Sequence, residues 1–484
     1  MCNDRFFIRH MIAVLAILAE TQKRIGRGLH VRRLITATAV SVLLVSGCDK
    51  SAEDNGPAAF ASRYQGLESA TTLITGATVL TGTGERLDNA DVLLVDGRIA
   101  GVGSGLSAEG ANVVDATGKW VTPGIIDVHS HLGVYASPGT QSHSDGNEAT
   151  APVTAQVWAE HSVWPNDPGF TTALAGGVTA MQILPGSANL VGGRGVTLKN
   201  VPGRNVMEMK FPDAPYGLKM ACGENPKRVY GSRGQEPATR MGNVAGYRSA
   251  WIDAAEYRDK IRAAEEGQGE RPKRDLRLET LMGVLEGEII VHNHCYRADE
   301  MSVMLDIARE FGYKVGTFHH AVEAYKIADL LAEADTCSAM WADWWGFKME
   351  AFDGIRENAA IVDKAGACAV IHSDSEIGIQ RLNQETAKVM GAAARVGMDI
   401  PPESAIRWIT ANAAKSLGIA DQTGTLEVDK MGDVVIWDGN PFSVYTKAER
   451  VYIDGALAFE RGNDAVNPVT DFTLGTAAAA GGAR

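Results

Sequence analysis

Val121-Thr-Pro-Gly-Ile-Ile-Asp-Val-His-Ser-His131 is the stretch whose reading decides the fold. Its apolar run, Ile125 to Val128, reads as a short buried strand that ends in two histidines. Residues i and i+2 of a strand share a face, so His129 and His131 can meet one metal ion. A lone His-x-His pair occurs by chance in many chains. Three later stretches give it weight: Val291-His-Asn-His294, Thr317-Phe-His-His320 and Ile371-His-Ser-Asp-Ser375. Each stands at the C-terminal end of an apolar strand-like run, where parallel barrels hold their chemistry.

Around these stretches, residues 123–423 alternate strand and helix, the pattern of parallel β/α units. Eight strands are expected, ending near His131, Leu184, Lys199, Gly223, His294, His320, Met340 and Asp374; the third and seventh have the weakest pattern. Helices are expected over Glu300 to Phe311, Ala321 to Ala334, Phe352 to Ala365 and Arg381 to Val396, and a solvated helix and loop over the charged segment Ala254 to Arg277. The expected fold class is α/β, a (β/α)8 TIM-like barrel whose C-terminal strand ends converge on one mouth. Short strands flank it on both sides, over 70–122 and 424–462, with hairpin signals at Asp96-Gly97 and Asp454-Gly455. Neither flank is large enough for a stable sheet alone, so the two are expected to pair into one small composite β-sandwich.

The chain of 484 residues carries a net charge of −13. Residues 1–47 hold seven Lys/Arg against two Asp/Glu, which leaves −18 on the remainder. Such a surface excludes nucleic acid and anionic membrane as partners and points to a small-molecule substrate. Arg24, Arg27, Arg32 and Arg33 precede an apolar core, Leu34 to Val45, and then Ser46-Gly47-Cys48. Those are the parts of a signal segment over 1–47, too short in its core for a permanent span of ~20 residues. Val45-Ser-Gly-Cys48 resembles a bacterial lipobox with Cys48 as lipid anchor, so an exported, periplasmic or membrane-anchored protein is expected. A second apolar patch, Met11 to Ala19, suggests a translation start later than Met1. Residues 48–69 read as a linker and 463–484 as a flexible tail. Cys222, Cys295, Cys337 and Cys368 are scattered without CxxC spacing and read as buried free thiols. Homo-oligomerisation is left open.

The motifs resemble the amidohydrolase superfamily, in particular its imidazolonepropionase and dipeptidase-like branch. The pieces that carry the resemblance are Pro123 to His131, Gly176-Gly-Val-Thr179, His372-Ser-Asp374 and Met431-Gly-Asp-Val-Val-Ile436, within a span from about Thr72 to Gly462. His129, His131, one histidine of each of the fifth and sixth strands, and Asp374 make a nitrogen-rich donor set with a carboxylate, suited to Zn²⁺. In the fifth strand His292 and His294 share a face, and His294 is favoured because it lies nearer the strand end. Of His319 and His320, which alternate faces, likeness to the family favours His320. His372 lies deeper and reads as a packing residue or a support for the ligands.

The resemblance implies that Asp374 moves a proton between water and the leaving nitrogen, and that one or two divalent ions are bound. In binuclear members a carboxylated lysine bridges the ions, which Lys219 resembles; others use a glutamate at the strand end, where Glu224 stands. Glu224 is favoured here and Lys219 is the alternative. Arg297 and Lys348 are candidates for substrate binding, and Trp341, Trp344 and Trp345 for the pocket wall. The expected activity is hydrolysis of an amide C–N bond in a dipeptide or N-acyl amino acid. Cyclic-amide hydrolysis of the imidazolonepropionase kind, deamination, and a ligand-binding barrel without turnover are the alternatives.

Overall fold

The computed structural model describes residues 59–468. The expected signal segment, Cys48 and most of the expected tail lie outside the described residues. The chain divides into two compact units, 1–61 and 62–484, and the second holds every element described below. Among the described residues no helix is long and apolar enough to cross a membrane.

Five strands come first: β1 (Thr72–Leu80), β2 (Arg86–Val95), β3 (Arg98–Gly103), β4 (Asn112–Asp115) and β5 (Trp120–Pro123). The barrel strands follow as β6 (Ile125–Ser130), β7 (Val178–Ile183), β8 (Val191–Lys199), β9 (Tyr216–Ala221), β10 (Ile289–Cys295), β11 (Val315–His320), β12 (Cys337–Met340) and β13 (Cys368–Ile371). Three more, β14 (Val434–Trp437), β15 (Ala448–Ile453) and β16 (Ala456–Glu460), close the chain. Strands β1–β5 and β14–β16 form one hydrogen-bonded sheet, joined where β5 runs antiparallel to β14 with Trp120 opposite Trp437. That sheet encloses its own apolar cluster, with Ile74, Val92, Val121 and Ile436 at its centre.

Strands β6 to β13 form the second sheet, in chain order. Every residue of β6 and β7 is buried, because both faces of a barrel strand are covered. The Pro-Gly step of the opening motif admits no side chain: a Cβ at Gly124 would stand 2.1 Å from the Thr179 hydroxyl. Helices Ala298–Phe311 and Leu382–Arg395 lie where the sequence pattern places them, whereas Ala321 to Ala334 breaks into a short turn and Ala328–Glu333. Asn358–Lys364 begins later than expected, and the charged segment is the end of a long helix, Arg240–Glu265, with the loop after it.

Two expectations are corrected. The barrel is not wholly parallel: β8 runs antiparallel to both β7 and β9. A parallel crossover needs at least ~10–12 residues, and the link from Leu184 to Leu190 is too short for one, so the chain turns straight back. The four cysteines are also not free thiols, for Cys222 bonds Cys295 and Cys337 bonds Cys368. Cys337 and Cys368 are direct partners across β12 and β13. Distant in sequence, these residues become neighbours only when the strands are laid side by side.

Closure of the barrel falls to residues of the motifs themselves. The Asp374 N–H donates to the His129 carbonyl at 3.0 Å, and the Ser373 N–H and hydroxyl donate to the buried Asp127 carboxylate. A second buried polar knot ties the barrel to the other sheet. Lys199 Nζ meets Asp433 Oδ1 at 2.9 Å and Asp454 Oδ1 at 2.8 Å, while the Thr423 and Tyr64 hydroxyls take up remaining carboxylate oxygens.

Candidate metal centre

His129 and His131 stand at and just past the end of β6. His129 Nε2 lies 3.3 Å from His131 Nε2 and 3.5 Å from Asp374 Oδ1, and His131 Nε2 is 3.2 Å from the same oxygen. His131 Nδ1 lies 2.8 Å from the Leu184 carbonyl. A carbonyl oxygen only accepts, so Nδ1 carries a proton and Nε2 is the nitrogen left facing Asp374. His320 Nδ1 is 3.8 Å from Asp374 Oδ2, and its ring is 4.5 Å from that of His294 and 4.8 Å from that of His129. His372 stacks on His129 at 5.1 Å.

Alternation along β11 puts His319 and His320 on opposite faces, yet both rings pack against His129. The reason is a left-handed backbone at His320, φ +70°, which breaks the alternation; Asp374 has φ +48°. Non-glycine residues in this region are held there by their surroundings and cluster at functional sites.

Burial keeps the imidazoles neutral. It holds His129 well below the ordinary histidine range, with the Lys219 charge adding to it. The same holds for His294, beside Lys348, and for His320, beside His294. Burial also pushes His372 down to about 3. For Asp374 burial works upward, but the hydrogen bond and charge of His131, with His372 and Lys219, outweigh it and hold the carboxyl below its usual range.

Among the described residues, both ring nitrogens of His294, both of His372 and Nδ1 of His320 are buried without a hydrogen-bond partner. Orphaned lone pairs packed around an ionised carboxylate are costly unless a cation satisfies them. The donor set therefore fits a divalent metal. Two trios bring one ligand atom each within 4.8 Å of one another: His129, His320 and His372, and His129, His131 and Asp374.

Glu224 and Lys219 take different places: Glu224 lines the pocket that holds the histidines, and Lys219 stands beside His129. Lys219 is buried in β9 and its Nζ stands 3.3 Å from His129 Nε2; its four-carbon stem carries the amine up to the histidines. Burial lowers that amine to about 8, against the opposing pull of Asp374. Glu224 instead heads the helix Glu224–Gly231, with its carboxylate 3.5 Å from Lys348 Nζ. Gly223 makes this turn at φ +76°, where Glu350 leaves no room for a Cβ.

Arg297 stands apart from the histidine pocket. It forms an exposed pair with Asp299 and lines a neighbouring cleft rather than the histidine pocket. Lys348 does line the pocket, with its ammonium 3.9 Å from the Tyr296 ring centre and 3.1 Å from Asn225 Oδ1. The pocket is a cavity of about 950 Å³, walled by Trp341, Trp344, Trp345 and Phe347 and by Gly186 to Ala188 of the loop after β7. Trp341 stacks on His320 at 4.2 Å. Tyr135 packs edge-on to His131 at 5.4 Å; nothing in its local sequence marked it.

Comparison with known proteins follows the same lines. The model of the amidohydrolase family matches residues 256–475. A solved amidohydrolase structure from Thermotoga maritima MSB8 superposes with a TM-score of 0.75 at 38% identity, over 81% of this chain and 100% of that one. An amidohydrolase of Hapsidospora irregularis is 32% identical over 395 residues, 76% of this chain but 40% of its own length. The chain thus spans less than half of that relative. An imidazolonepropionase of Mesorhizobium japonicum is 23% identical over 364 residues, 72% of this chain and 83% of its own.

Proposed function

The chain belongs to the amidohydrolase family, and from that premise we propose that it is an exported metal-dependent hydrolase of an amide C–N bond, acting on a dipeptide or N-acyl amino acid. The observation that carries this reading is the convergence of His129, His131 and Asp374 within 3.5 Å, ringed by buried, unpartnered nitrogens of His294, His320 and His372. These residues and Lys219 would hold the ion or ions, with Zn²⁺ the metal suited to nitrogen-rich ligation. Lys219 would join them in a carboxylated form, which needs the neutral amine toward which burial shifts it. A divalent ion supplies Lewis acidity there, polarising the carbonyl and acidifying water.

The protein's own groups do the rest. Asp374 Oδ accepts the proton of the attacking water and returns it to the leaving nitrogen, as the C–O bond forms and the C–N bond breaks. The carboxyl is held below its usual range and so is ready to accept. Trp341, Tyr296 and Phe347 exclude water from one side, and Lys348 and Asn225 orient the polar end of the substrate. Likeness to an imidazolonepropionase supports a second reading in which the scissile amide is cyclic. A barrel that binds without turnover has no use for a carboxylate poised on this histidine set.

Export rests on the basic and apolar N-terminus with Cys48, and it is supported by two disulfides, which persist in oxidising compartments. The deciding experiment counts metals per chain on protein made from Asp49 onward with bicarbonate present, then assays dipeptides, N-acyl amino acids and cyclic amides. Two ions and open-chain hydrolysis are expected. Failure to hold any metal after reconstitution overturns the reading.

A further inference from the structure

Beneath the ligand histidines runs a buried chain of rings that the mechanism above does not use. His129 Nδ1 lies 2.9 Å from His319 Nδ1, and His319 Nε2 lies 2.9 Å from His292 Nδ1. His292 Nε2 then meets the Gln182 carboxamide at 3.3 Å. All four residues are almost wholly buried, and each meets the next directly. Each ring-nitrogen contact of 2.9 Å holds one proton, so one nitrogen of each pair donates and the other accepts. A neutral imidazole donates through one nitrogen and accepts through the other. The protons of such a chain can therefore point only one way or the other, as a set.

The upper end chooses the direction. His129 Nε2 faces the metal pocket, 3.3 Å from His131 Nε2 and 3.5 Å from Asp374 Oδ1, and a ring nitrogen that takes an ion there must be bare, so the His129 proton sits on Nδ1. His129 then donates to His319, His319 donates through Nε2 to His292, and His292 ends the chain with an N–H on Nε2. The last group must be an acceptor. Gln182 has one: Oε1, which is buried and without a partner while the amide Nε2 faces His292. Amide oxygen and nitrogen exchange places by a half-turn of the side chain, and the direction of the chain selects the turn that brings Oε1 to His292.

We infer that Gln182, His292 and His319 are positioning residues which hold His129 in the tautomer with a bare Nε2 facing the metal pocket. The inference rests on the metal-centre reading for the direction of the chain, and on the ring contacts for its geometry. Supports of this kind, once removed, typically weaken metal affinity by about 10–100-fold.

The test replaces Gln182 and reads Zn²⁺ affinity by competition with a chromophoric chelator. Gln182→Glu offers acceptors only and keeps the direction, so its Kd is expected within about threefold of the parent. Gln182→Leu, near in volume but without an acceptor, is expected to bind about 10–100-fold more weakly. A residue that merely packs would give the opposite order, because a buried carboxylate is a worse filler than leucine. A Glu variant weaker than the Leu variant, or two variants equal to the parent, overturns the inference. Should a variant fail to fold, nitrogen-15 spectra of histidine-labelled, metal-free parent protein decide alone. Both His292 and His319 must show the Nε2-protonated tautomer, and an Nδ1-protonated ring at either overturns the chain. Parent protein that binds no Zn²⁺ defeats the metal reading separately, and the same spectra still judge the tautomers.

Discussion

Asp374→Asn keeps the volume of the side chain and removes its ability to take a proton. Turnover is expected to fall by about 10²–10⁴-fold, the worth of one acid–base group, with the thermal midpoint of the metal-free protein little changed. Activity near the parent's would sink the proton transfer assigned to this carboxylate. Asp127, two positions before His129, makes a different expectation. Burial pushes it up to about 7, against the Ser373 hydroxyl and the N–H groups of His129 and Ser373 that favour its ionised form. An aspartate in the unfolded chain titrates near 3.9, so the folded protein binds the extra proton between about pH 4 and pH 7. The stability from this group is complete below that window and is lost as pH rises through it. Urea midpoints of metal-free protein at the two ends of the window should draw together in Asp127→Asn, and an unchanged gap would refute the assignment. The residue scale also shows what was legible. His129, His131 and Asp374 could be read because strand alternation is a short-range rule. His319 could not, since the left-handed turn at His320 that brings both rings inward is imposed by tertiary packing. The nearness of Lys219 to His129 was not legible, because position along a strand says nothing of how far a flexible stem reaches.

At the scale of elements, the barrel strands were readable as apolar runs with polar ends, and their number and order follow from the sequence. The direction of β8 does not show in its own residues; it shows in the shortness of the link before it. The two disulfides depend on which strands lie side by side, a matter of topology that cysteine spacing does not encode. They close stretches of 73 and 31 residues. Reduction is expected to lower the stability of the protein by about 2–4 kcal/mol per bond, read as a fall in the denaturation midpoint with and without reductant. Replacing Cys337 and Cys368 together by Ser should reproduce one share of that loss at the end of the barrel away from the ligands, with metal content unchanged. Equal midpoints under both conditions would mean that these bonds do not constrain the unfolded chain.

For the whole molecule, the knot of Lys199, Asp433, Asp454 and Tyr64 joins the barrel to the sheet built from both flanks. Lys199→Met leaves two carboxylates buried together without their cation, a change expected to cost about 3–5 kcal/mol. Urea unfolding would show it, and a loss under 1 kcal/mol would mean that water reaches the knot. The closure of the barrel has a consequence of another kind. Between β13 and β6 the ring is sealed by Asp374 on His129 and by Ser373 on Asp127, not by a ladder of backbone bonds. The seam of the cylinder and the catalytic centre are the same few residues. An ion gripped by His129 and Asp374 would therefore act as a rivet through a joint that, among the described residues, a single backbone hydrogen bond fastens. Loading the enzyme should slow amide exchange along the whole length of the first and last staves, far from the mouth where the ion sits.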